Sequence, residues 1–279
     1  MIEAYAFLAA FSMQILVVSM LHPVWFTKFA RAKGEAQLPG WDRNSRERFL
    51  NLYRAVNIGI TVFGLVLLGW LFNHMRSPDW DVGPVTLLLR GYIVVQVLPF
   101  VIVSLIGAWV KKNALKRSPP EVKRTVRLQR RGLFDFVSPL TVFLAVVGYF
   151  LFAAFVIYIQ QHPFPGFSGY RLLRAVTLIY AVNAFGVYWV LYRRKRWPLE
   201  TSAYRMHAVG VQIKIVFYTS IAVIVFLSLN VTLLLLDMQR WVPFALSVYF
   251  VLIMLFTSVM LFALRRQAEA DRLGPSPAS

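Results

Sequence analysis

The chain is predicted to be an all-α, polytopic membrane bundle of seven transmembrane helices, with its N-terminus outside and its C-terminus inside. Three observations predict this. Seven long apolar stretches run at about 4–22, 53–73, 84–110, 139–160, 172–192, 215–236 and 243–264, each near the roughly 20 residues that cross a bilayer core. Lys and Arg crowd alternate connections, with seven in 23–54, nine in 111–131, five in 193–209 and three after 264; the connections between carry only Arg76, Arg171, Arg174 and Arg240. The bias of basic residues toward cytoplasmic loops then fixes the orientation. Finally, 58% of the 279 residues are hydrophobic, so residues 1–264 form the membrane domain and leave no room for a separate soluble one.

The first stretch begins after Glu3 and is followed by Lys28, Arg31 and Lys33. It lacks a basic leader and a small-residue cleavage site, so it reads as an uncleaved first helix inserted N-out. His22-Pro23 is expected to end it. Leu38-Pro39-Gly40 turns the connection, and Asp42 to Ser45 offer caps for a helix running into Tyr53. Gly83-Pro84 starts the third span, where Arg90 lies close enough to the outer headgroups to snorkel. Pro99 lies within that span and is a candidate kink, because its ring removes a main-chain donor.

Ser118-Pro119-Pro120-Glu121 has the form of a helix start, with Ser as cap, Pro in the first turn and Glu able to reach back. The helix it opens, 119–132, places Lys123, Arg124, Arg127, Arg130 and Arg131 on one face. A basic amphipathic helix of this kind lies in the interface plane beside anionic lipid. Ser138-Pro139 starts the fourth span and leaves Asp135 at the inner interface. Asn183 marks the middle of the fifth. Thr201 or Ser202 caps the sixth helix, which reaches Leu236 if unbroken and is then about 52 Å long. Lys214 therefore falls at the inner interface. After the seventh span, 265–279 is expected to be a short, disordered cytoplasmic tail.

The composition excludes several classes. A net charge of +18 would suggest a nucleic-acid binder in a soluble protein, but 24 of the 30 basic residues sit on the predicted inner face. They set orientation and meet anionic headgroups; no nucleic-acid partner is expected. With no Cys, the chain has no disulfide, thiolate metal site or cysteine nucleophile. The four His fall at predicted helix ends, where no facing pair can hold a haem. No cofactor or metal is expected, and no His-Glu-x-x-His, Gly-x-Ser-x-Gly or phosphate-loop motif occurs. Seven-helix receptors, microbial rhodopsins and the Pro-Gln sugar transporters share the topology, but the residues that carry their chemistry are missing.

Neutral amides remain in the span interiors, with Gln14, Gln96 and Asn183 the candidate bundle-interior polar residues. They either fasten helices together or line a polar cavity. On the inner rim Arg54, Asp135, Arg205, His207 and Lys214 form a candidate site for an anionic lipid head. The expected function is non-enzymatic: a scaffold, accessory subunit or sensor of a bacterial cytoplasmic membrane, whose basic inner face engages anionic lipid and a membrane-protein partner. The alternative is a transporter or flippase for a small or amphiphilic solute. A third is an interfacial lipid-modifying enzyme using Asp135 and His207.

Overall fold

The computed structural model describes residues 2–32, 43–77, 79–117, 132–161, 169–193 and 202–273. Among these residues all regular structure is helical. Seven helices are long and apolar enough to cross a membrane: Ile2–Lys28, Asn44–His74, Val82–Val103, Pro139–Gln161, Gly169–Leu191, Val209–Leu235 and Gln239–Met260. Each overlaps one of the seven expected spans. The molecule is a multi-pass membrane protein.

The first span departs from expectation at His22-Pro23, which does not end it. Helix α1 (Ile2–Gln14) runs into a π-helical segment, Ile15–Leu21, and then into α2 (His22–Ala32) without interruption. In an α-helix the ring of Pro23 would collide with the carbonyl four residues back. Here the turn ahead of it is widened, with the His22 amide donating to the Val17 carbonyl five residues back. A π-turn therefore accommodates the proline that a regular α-helix would not.

The other helix starts follow the expected chemistry. Helix α3 spans Arg43–His74 and α4 spans Val82–Arg117. The Gly83 amide donates to Asp81 Oδ1 at 2.9 Å, so Asp81 caps α4 just ahead of Pro84. Pro99 is buried within α4, which continues past it. A 3-10 turn, Leu133–Asp135, leads to α5 (Pro139–Gln161). Ser138 Oγ caps α5 by accepting from the Thr141 amide at 3.2 Å. Helix α6 (Gly169–Tyr188) continues as a second π-helical segment, Trp189–Arg193.

Helix α7 covers Ser202–Leu235, 34 residues or about 51 Å. Asp237 then adopts a left-handed backbone (φ 57°), which stops the helix. After the 3-10 turn Gln239–Trp241, α8 runs from Val242 to Leu273. The expectation of a disordered tail from 265 is thus corrected through Leu273. That stretch, RRQAEADRL, is rich in Ala, Gln, Glu, Arg and Leu, which favour helix without any tertiary contact.

Two compact units emerge, the first formed by Met1–Glu121 with Leu236–Leu255 and the second by Val122–Leu235 with Phe256–Ser279. In the first, Phe7, Phe11 and Ile15 bury one face of the first span against Ile60, Leu67 and Leu71 of α3 and Leu89 and Tyr92 of α4. Phe11 meets Tyr92 edge-on at 5.3 Å between ring centres. Val17 and Val18 pack on Phe250 and Val251 of α8. The opposite face, with Met13, Leu16 and Met20, is exposed and suits lipid. In the second unit, Phe152, Val156, Val176 and Ile224 join α5, α6 and α7. Between helices in lipid, such packing and interhelical hydrogen bonds replace the water-driven apolar effect.

Candidate functional site

The densest polar arrangement in the first unit is a chain of hydrogen bonds inside the apolar core. Gln14, at the end of α1, donates from Nε2 to Gln96 Oε1 on α4 at 2.7 Å. Gln96 Nε2 in turn donates to Ser19 Oγ at 2.8 Å. Ser19 Oγ lies 3.3 Å from Tyr92 Oη, which donates to the Ile60 carbonyl of α3 at 3.2 Å. Because the tyrosine proton is given to Ile60, the Ser19 hydroxyl is the donor to Tyr92. The bonds then run head to tail across three helices, an order in which each polarises the next. All four side chains are buried.

The π-helical segment makes this chain possible. In an α-helix, residues five apart point about 140° from each other, so Gln14 and Ser19 could not both face α4. The i to i+5 bonding of the π-turn brings the fifth residue back near the first, and both side chains reach Gln96. Tyr92 and Gln96 are four apart on α4 and share a face without any such device. Gly64 supplies the remaining condition. A Cβ at that position would collide with Tyr92 Oη and lie 2.7 Å from Tyr92 Cζ, so only glycine lets the phenol reach the α3 backbone.

The second unit carries its own polar seam. Asn183 Nδ2 donates to Ser220 Oγ at 2.8 Å, and Ser220 Oγ donates to the Val216 carbonyl at 2.8 Å. Tyr180 Oη bonds the Ser220 carbonyl at 3.2 Å and the Ala145 carbonyl at 3.4 Å, tying α6 to α7 and α5. Tyr149 Oη and Thr177 Oγ1 add a 2.8 Å bond between α5 and α6. Asn57 and Asn230 behave differently, each donating to the carbonyl four residues back on its own helix.

The residues named from sequence are therefore distributed as follows. Gln14 and Gln96 are brought together, whereas Asn183 bonds within the second unit. Asp135 is exposed, and its Oδ2 accepts from the Gly132 amide at 2.8 Å, closing the turn before α5. Lys214 is exposed on α7, and Arg54 is exposed on α3 in the first unit. The side chains of Arg205 and His207, and all of Lys123, Arg124, Arg127, Arg130 and Arg131, lie outside the described residues. Sequence reasoning missed Ser19, Tyr92 and Gly64. The i, i+4 spacing of Tyr92 and Gln96 was the available signal for one of them.

Among the described residues, no three His, Asp or Glu side chains gather to hold a metal. Comparison with protein-family models, curated proteins and solved structures gives no match. Chemically, both seams consist of neutral amides, hydroxyls and carbonyls. They can hold helices in register, each bond contributing about 1 kcal/mol in a membrane.

Proposed function

We propose that the protein is a non-enzymatic scaffold or accessory subunit of a bacterial cytoplasmic membrane, N-out and C-in, with a basic inner face that engages anionic lipid and a membrane-protein partner. The observation that carries this reading is the use made of the interior polar groups. Gln14, Gln96, Ser19, Tyr92, Asn183 and Tyr180 are engaged in bonds between helices, as rigid structural bundles require. A transport path would instead keep such groups open to water or solute. The charge distribution supports the lipid half of the proposal, since each basic residue near an anionic surface contributes about 1 kcal/mol.

The test is purification of the full chain from its native membrane in mild detergent, followed by native mass spectrometry. The expected result is one stoichiometric protein partner with retained anionic lipid. A lone chain that carries no partner, and whose melting temperature rises with a small solute, would replace this reading with the transporter or flippase.

A further inference from the structure

We propose that the first unit binds one internal water molecule, held between the side-chain amide of Gln14 and the hydroxyl of Ser247. Two buried side chains carry this independently. Gln14 is fully buried; its Nε2 is engaged by Gln96, while its Oε1 has no hydrogen-bond partner. Ser247, on α8, is also fully buried with Oγ unpartnered. A helical Ser or Thr has an easy bond at hand, to the carbonyl four residues back. Ser12, Thr61, Thr177, Thr219, Ser220 and Thr232 all make it. Ser247 does not, and its hydroxyl is left open in the core, as is that of Thr86 on α4.

Helical spacing puts the two open atoms in one layer. Helix α1 meets the Gln239–Trp241 turn that leads into α8, with Glu3 near its start interacting with Arg240, and further along Val17 and Val18 pack on Phe250 and Val251. The first span and α8 therefore run side by side in the same direction. One turn back from the Val17–Val18 and Phe250–Val251 contact lies Gln14 on one helix and Ser247 on the other. Leaving an amide oxygen and a hydroxyl both unpaired in an apolar core is costly, and a buried water needs two or more such partners.

Water fits this pair of groups better than a cation does. Gln14, Ser247 and the bonded chain behind them are neutral, so a bound ion would keep an uncompensated charge. Turning over the Gln14 and Gln96 amides, which exchanges O and N, would make the open end a donor, and water serves either polarity. The water extends the hydrogen-bonded chain from Ile60 by way of Tyr92, Ser19, Gln96 and Gln14 to α8.

Hydroxyl-radical footprinting by synchrotron radiolysis of the full chain in lipid nanodiscs tests this, because radicals formed from a buried water oxidise the side chains around it. After correction for intrinsic reactivity, Phe11 and Ile15, at 0% and 3% exposure, should be oxidised several-fold faster than Phe7 and Leu71, both at 0%. Ser247→Ala should bring the first group down to the second. In a cycle of Gln14→Met and Ser247→Ala, the effects on the unfolding equilibrium constant should depart from additivity by about threefold or more. Equal oxidation of the two groups in the native protein would overturn the proposal. Full labelling retained in Ser247→Ala would overturn the assignment to that hydroxyl. A melting temperature that falls when sodium is replaced by choline would show a cation in place of water.

Discussion

Gly64→Ala probes the hydrogen-bonded chain at its tightest point. The added methyl would collide with Tyr92 Oη and sit 2.7 Å from Cζ, against an ordinary contact of 3.4 Å or more, so the ring must retreat by at least 3.4 − 2.7 = 0.7 Å. Tyr92 is 1% exposed and has no slack. Overpacking of that kind costs about 1–3 kcal/mol. Moving Oη also loosens its bonds to Ile60 and Ser19, already long at 3.2 and 3.3 Å, at about 0.5–1.5 kcal/mol each. The better helix propensity of Ala returns about 0.5–1 kcal/mol. The net loss is about 3 kcal/mol. Gly59 and Gly69 lie on the same helix with nothing within 4 Å of a Cβ, so Gly59→Ala and Gly69→Ala should gain about 0.5–1 kcal/mol. Reversible unfolding in mixed detergent micelles should then separate Gly64→Ala from its neighbours by about two to three orders of magnitude in equilibrium constant. If all three behave alike, Tyr92 does not sit against α3 and the chain as described is wrong.

Gln14→Leu or Gln96→Leu alone should cost about 1–3 kcal/mol by orphaning the partner amide, while the double Leu variant should recover most of that loss in the same unfolding assay. Reporter fusions after residues 35, 120, 200 and 270 should read cytoplasmic, and those after 78, 165 and 239 external, as the basic-residue bias requires. Peptides covering 118–132 should lose affinity for anionic vesicles when Arg124, Arg127 and Arg131 become Glu, by about 1 kcal/mol per charge.

The spans were legible because length and apolarity are local properties. So were the helix starts, since Asp81 before Gly83-Pro84 and Ser138 before Pro139 carry their capping atoms in adjacent residues. The 34-residue α7 was legible for the same reason, from a cap near Ser202 and an unbroken run after it. The π-helical segment was not, because a register shift at Ile15–Leu21 changes no composition. Pro23 hinted at it but reads equally well as a helix end. The partners of Gln14 were hidden because a hydrogen bond between residues 82 positions apart is set by helix pairing. The helical extension of α8 was obscured by charge that resembles a solvated tail.

The central claim is that the interior polar residues hold helices together and do not line a wet path. The chain contains no Cys, so a single Cys can be placed at Asn183 or Gln96 without altering any native thiol. Intact membranes would be treated with a small water-soluble maleimide, with Cys at the exposed Ser77 as the reactive reference. The account predicts rapid modification at 77 and none at 96 or 183 over the same period. Rapid modification at 96 or 183 would contradict it and make the protein a conduit.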